Sequence, residues 1–227
     1  VPGVLGQVLV PAISEQFGRK DTGRLSAIYV NSARYLMALA FPLAAGGAAL
    51  ARPLIIAMFG EPYEEVILPT QILFLGSAVF ATSFSTTGII MGTNRPGFLL
   101  VKSLFVVPAS IGLALALIPR YGVIGAAVSH TLGLLFFPVT VWYVSTRFKV
   151  GWPMGDTVRI ALASLGMAAC VFLLTHYLQA LWILPVAILL GIGVYLSLLL
   201  ILRVPQTQDW EILLSLQNRY GLTRNLA

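Results

Sequence analysis

The chain alternates long apolar runs with short polar breaks. Apolar stretches cover 25–50, 66–93, 98–118, 122–145, 157–177 and 181–202. Crossing the hydrocarbon of a bilayer takes about 20 residues of helix, so the pattern predicts six membrane-spanning helices. Residues 1–13 are apolar but too short to span, which predicts the end of a seventh helix. The chain opens Val-Pro-Gly rather than with Met, and is expected to continue upstream. Residues 14–26 read as a polar loop, with Gly18 and Gly23 as breakers. Arg52 and Pro53 open a short apolar piece, separate from the first span, that ends at Phe59 and Gly60. The sharpest punctuation is Ile-Pro-Arg-Tyr-Gly at 118–122. Pro119 cannot continue a hydrogen-bonded ladder and Gly122 is free to turn. Gly125, Ala126 and Ala127 then open the next helix with little bulk, so a neighbour can approach closely. A tight hairpin between two spans is expected there. Pro42, Pro108, Pro138 and Pro185 fall inside spans, either as bending points or as fixed kinks. Residues 207–217 predict a short amphipathic helix on the membrane surface, with Trp210, Leu213 and Leu214 on one side.

Composition fixes the class. Of 227 residues, 58% are hydrophobic and 10% charged, against about 25% charged in a soluble domain. The mean hydropathy is +0.91. The fold class is therefore all-α: a polytopic transmembrane bundle of six complete spans plus the end of a seventh. The net charge of +6 is better explained by sorting across a membrane than by nucleic acid. Arg19, Lys20, Arg24, Arg95, Arg147, Lys149, Arg203, Arg219 and Arg224 fall in alternate breaks, and Arg34, Lys102 and Arg159 lie just inside helices adjoining them. Of 14 lysines and arginines, Arg52 and Arg120 alone are left for the other side, with Glu61, Glu64 and Glu65. Basic loops stay cytoplasmic, which predicts a cytoplasmic C-terminus and an outward hinge at Arg120. Cys170 is the single cysteine, and His130 and His176 have no partner at metal-ligand spacing, so neither a metal nor a cofactor is expected. His176 is expected to be solvated at its outward turn, and His130 to pack against a neighbouring helix. No catalytic pair of carboxylates, nucleophile elbow or phosphate loop is present. The chain is not expected to be an enzyme.

Four stretches, in order, resemble the C-terminal half of polysaccharide flippases of the multidrug/oligosaccharidyl-lipid/polysaccharide transporter superfamily. They are Pro11-Ala-Ile-Ser-Glu with the basic loop after it, Ala51-Arg-Pro-Leu-Ile-Ile-Ala-Met-Phe-Gly with Tyr63, Met91-Gly-Thr-Asn-Arg-Pro, and the hinge at 118–127. The resemblance implies a fourteen-helix carrier of two six-helix lobes plus a C-terminal pair. This chain would hold the end of the eighth helix and all of the last six. Three parts follow: a transmembrane lobe at 1–155, an added pair of helices at 156–204 and a cytoplasmic tail at 205–227. The implied substrate is a polyprenyl-pyrophosphate-linked oligosaccharide, moved across the bacterial inner membrane by alternating access. The partners implied are that lipid-linked sugar, the bilayer and the N-terminal lobe.

Under this resemblance Arg34 has a functional reading, because a guanidinium forks onto phosphate oxygens. It has a plainer one too: two to three turns from its loop, it can snorkel to the cytoplasmic headgroups. Asn31, one turn earlier on the same face, either bonds sugar hydroxyls or a neighbouring helix. Ser83, Thr86 and Thr87 share a face of the second span, as a sugar path requires, though hydroxyls in a span also bond their own backbone. A drug/cation antiporter and a peptidoglycan-precursor flippase of the same superfamily are the alternatives. A membrane glycan polymerase or ligase fits less well, because the outward loops are short.

Overall fold

The computed structural model describes residues 13–15, 22–177 and 183–204. The amphipathic helix expected at 207–217 and most of 1–13 lie outside them. The described chain is helical, with no strand, as lipid requires: backbone groups in hydrocarbon must be paired within their own segment. The helices are α1 (Thr22–Phe59), α2 (Ile67–Gly92), α3 (Gly97–Gly133), α4 (Phe137–Phe148), α5 (Met154–Tyr177) and α6 (Ile183–Ile201), with 3-10 turns at Glu61–Val66 and Leu134–Phe136. Five helical stretches are long and apolar enough to cross a membrane, one of them running from Gly97 to Phe148.

That long stretch is two spans. Gly122 has φ 56° and ψ −130°, which glycine adopts at little cost and other residues do not. The chain reverses there. A Cβ placed on Gly125 would lie 2.4 Å from the Leu117 carbonyl oxygen, and one on Gly133 would lie 2.8 Å from Ser110 Oγ. In an unbroken helix residues 110 and 133 would stand roughly 34 Å apart. Further along, Phe98 stacks on Tyr143, with ring centroids 3.7 Å apart. The hairpin is therefore closed along its length, and the long stretch folds as two antiparallel arms, giving six apolar helical segments among the described residues. Its pivot is Gly122, three residues beyond the proline, because a proline inside a helix removes one hydrogen bond without turning the chain back.

Three boundaries differ from expectation. Gly23 lies inside α1 instead of breaking the chain before it. Arg52 and Pro53 do not open a separate piece, since α1 runs through them for 38 residues. At about 1.5 Å per residue it is roughly 57 Å long, well beyond the ~30 Å of hydrocarbon. Just before Pro53, Gln71 Nε2 donates to the Ala48 carbonyl at 3.1 Å and pins this stretch to α2. The fourth span is also not one helix. Pro138 has no N–H to give the Leu134 carbonyl, and its ring crowds it. The chain takes a 3-10 turn at Leu134–Phe136 and restarts, with Pro138 in the first turn of α4.

In the bundle α1 lies centrally, with α2 on one side and α5 on the other. The hairpin packs beyond α2, and α6 beyond α5. The outer arm of the hairpin shows its apolar side chains outward: Leu100, Leu104 and Leu115 are each more than 70% exposed. In water that surface would aggregate; in lipid it is solvated. One end of the bundle gathers Leu25, Ile89, Ile90, Val144 and Val150, with Phe98, Phe148 and Trp152 packed against them. Val204 joins Ala33 and Ile160 at the same end. The helix termini carrying Arg24, Arg95, Arg147, Lys149, Arg159 and Arg203 thus lie together, and all six side chains are exposed. Arg52 stands at the far end of α1, where Nη1 pairs with Glu64 Oε1 at 2.7 Å. The charge sorting read from sequence is a property of the fold. Both members of the Arg52–Glu64 pair are at least half exposed, so water screens it. Arg52→Ala is expected to change stability by less than ~1 kcal/mol, as read from the thermal midpoint in detergent.

Candidate functional site

The polar residues inside the bundle concentrate where α1 meets α2. The two helices run antiparallel, and two contacts set their register: Tyr29 faces Thr86, and Gln71 bonds Ala48. Five residues along α1 from Tyr29, Arg34 comes level with Ala81 and Thr82 of α2. All three are buried.

Arg34 is 2% exposed. Its guanidinium lies 5.1 Å from the centroid of the Tyr35 ring, and Nη2 donates a long 3.4 Å hydrogen bond to the Tyr35 hydroxyl. A cation over an aromatic face contributes about 0.5–2 kcal/mol, more as it is desolvated. Tyr35 is 44% exposed and stands between the guanidinium and the outside. The side chain is enclosed by protein. The reason is rotational. Arg34 shares its side of α1 with Ala33 and Met37, both fully buried, so closeness to a loop along the axis brings no access to it.

The hydroxyls of α2 mostly bond their own helix. Thr82 Oγ1 donates to the Val79 carbonyl at 2.8 Å, Ser83 Oγ to Phe80 at 2.6 Å and Ser85 Oγ to Thr82 at 3.0 Å. Such bonds let a hydroxyl sit in hydrocarbon without a partner helix. Thr86 differs. It is fully buried against Tyr29, and neither the Thr86 hydroxyl nor the Tyr29 hydroxyl makes a hydrogen bond of good geometry among the described residues. Ser83 and Thr87 lie one turn apart and are half-buried, as is Asn31 on α1.

The five sequence candidates therefore divide. Arg34 and Thr86 are inside the α1–α2 seam; Asn31, Ser83 and Thr87 border more open faces. The shared face read for Ser83, Thr86 and Thr87 holds only for the first and last, because Thr86 turns inward. Tyr29 and Tyr35 were not singled out in the sequence, yet they neighbour Thr86 and Arg34. The available signal was two phenols flanking the one deep cation. Trp152 closes the cytoplasm-expected end: it meets Tyr29 edge to face at 6.0 Å, and its Nε1 donates to Thr157 Oγ1 at 2.9 Å. His130 is exposed on the hairpin, so it is not the helix-packing residue expected. His176 is exposed and stacks on Phe172, one turn earlier, at 5.9 Å. Among the described residues no group of three or more His, Cys, Asp or Glu is placed to hold a metal.

These features define a polytopic helical membrane protein with, among the described residues, one enclosed cation and a seam of hydroxyls. Residues 1–68 match a family described as "Polysaccharide biosynthesis protein". The fold is similar to that of the lipid II flippase MurJ in an inward closed conformation. The TM-score is 0.72 at 20% identity, over 86% of this chain and 41% of that one. The chain thus spans less than half the length of that protein. No curated protein matches the sequence. Sequence and fold point the same way, and the resemblance to a flippase is borne out: residues 1–68 match a polysaccharide-biosynthesis family, and the chain has the fold of a protein described as a flippase.

Proposed function

We propose that the chain forms the second lobe of a carrier that moves a polyprenyl-pyrophosphate-linked oligosaccharide across the bacterial inner membrane by alternating access. The observation that carries this reading is the enclosed Arg34 in a bundle whose fold matches one half of a lipid-linked-sugar flippase. Cations held inside a membrane bundle commonly mark substrate paths. No bond of the substrate is made or broken. An N-terminal lobe of the same protein completes the cavity, residues 1–155 make up the lobe proper, and 156–204 are the added pair. Arg34 receives the pyrophosphate when Tyr35 moves aside, while Asn31, Ser83, Thr86 and Thr87 offer hydrogen bonds to the sugar path. The positive end of the bundle faces the cytoplasm, together with the C-terminus. The product feeds a surface glycan such as lipopolysaccharide.

A second reading, a peptidoglycan-precursor flippase, is favoured by the likeness to a protein described as a lipid II flippase. Complementation separates the two. The full-length protein is expected to restore surface polysaccharide in a strain lacking its polysaccharide flippase, and not to restore growth after depletion of the lipid II flippase. The reverse result makes the precursor the substrate. Failure in both strains, with the protein in the membrane, counts against either lipid-linked sugar.

Topology is checked separately. With Cys170 replaced by serine, a cysteine at Glu61 is expected to react with an impermeant maleimide added outside, and one at Arg95 only after permeabilisation. Equal reaction of the two from outside overturns the threading.

A further inference from the structure

Pro42 interrupts the hydrogen-bond ladder of α1 at the middle of its span. Proline carries no N–H, so the carbonyl four residues earlier, that of Ala38, loses its helical donor. In hydrocarbon that oxygen must find another. It does: the Tyr195 hydroxyl, from α6, donates to Ala38 O at 2.7 Å. The two residues are 157 apart in sequence, and Tyr195 is 7% exposed. The bond is short and well placed for O–H to carbonyl oxygen.

The surrounding contacts are of one kind. Before the proline, Leu199 of α6 and Leu202 just beyond its end pack on the cluster of Ala33 and Met37 that includes Ala38 and Phe41. Tyr195 and Leu199 stand at the spacing that lines one helix face. After the proline, Gly46 of α1 meets Met167 of α5 so closely that a Cβ there would lie 3.1 Å from Met167 Cε. Glycines also bring α5 and α6 together: a Cβ on Gly166 would lie 2.9 Å from Leu198 Cδ1, and one on Gly191 3.0 Å from Val171 Cγ2. The C-terminal pair is therefore a packed unit that touches α1 on both sides of the proline.

We propose that the C-terminal helix pair is a splint for the proline joint in α1, with Tyr195 supplying the donor that Pro42 lacks. Bending α1 at Pro42 requires Tyr195 to release Ala38 O, so the pair sets how far the central helix of the lobe flexes. This role does not depend on which substrate is carried.

The test is a mutant cycle in the full-length protein in detergent. Tyr195→Phe keeps the ring and removes the donor. Pro42→Ala restores an N–H to Ala38 O and makes the donor redundant. In the parent background Tyr195→Phe is expected to lower the thermal midpoint by about 2–4 °C, the scale for losing one buried hydrogen bond in a domain of this size. In the Pro42→Ala background it is expected to change it by less than about 1 °C. Equal losses in both backgrounds mean that Tyr195 matters for packing alone, and overturn the proposal. Should Pro42→Ala not fold, nitroxides at positions 39 and 58 on a Cys170→Ser background decide instead. Both sites are exposed and lie either side of Pro42. A broader distance distribution in Tyr195→Phe supports the splint, and an unchanged one overturns it.

Discussion

Gly125→Val will leave little or no folded protein. A Cβ at this position falls 2.4 Å from the Leu117 carbonyl oxygen and 2.6 Å from its carbon. Both are backbone atoms, so no side-chain rotation relieves the clash. The two arms of the hairpin would have to separate just past the Gly122 reversal, where they are held most closely. Overpacking commonly costs about 1–3 kcal/mol when side chains can shift, and here the loss should exceed that range. Much of the stability of a typical domain, about 5–15 kcal/mol, would be at stake. The comparison is Gly112→Ala, on the outer arm, where nothing lies within 4 Å of the added carbon. That change should be neutral or stabilising by up to ~1 kcal/mol, since alanine is the better helix former. The measurement is the yield of monodisperse full-length protein and its melting midpoint. A Gly125→Val protein that purifies and melts like its parent would mean that the arms do not close at this residue.

The helices were legible in the sequence because lipid leaves a spanning backbone few alternatives, and a run of apolar residues declares its own length. The hairpin was legible because Pro119, Gly122 and Gly125 each restrict the backbone in a different way. Proline is different, because the chain gives this one residue type two meanings. Pro53 marks a boundary in the sequence pattern, yet α1 continues through it; Pro138 falls inside an apolar run, yet it restarts a helix. A missing N–H is decisive only when nothing else holds the flanking turns, and what holds them is tertiary. The same limit applies to the candidate site. Spacing gives depth along a helix, so Arg34 and His130 were placed by their distance from a loop. It does not give the side on which a helix meets its neighbours. Arg34 turned out enclosed and His130 outward for that reason. Thr86 could not be separated from Ser83 and Thr87 without knowing that Tyr29 stands opposite.

Arg34 is where a second large effect is expected, on transport rather than on folding. In the proposed carrier, Arg34→Gln in the full-length protein should cut restoration of surface glycan at least tenfold, equivalent to about 1.4 kcal/mol or more of lost interaction. Arg34→Lys should fail nearly as badly. It keeps the charge but gives up the planar fork that grips two phosphate oxygens at once, and a buried ammonium is more strongly hydrated and so harder to enclose. Tyr35→Phe should cost less than either, because it leaves the ring beside the guanidinium while removing the hydroxyl that accepts the 3.4 Å hydrogen bond. Membrane-inserted protein must be quantified alongside rescue, since a buried cation also takes part in packing. The three variants then separate the readings. Loss in Gln and Lys with normal amounts of protein assigns Arg34 to the pyrophosphate. Full rescue by Lys reduces its role to a point charge, and full rescue by Gln removes it from the transport path. The enclosure of Arg34 places one demand on the proposed carrier: the side chain is 2% exposed, so the seam around it has to open before any phosphate can reach it.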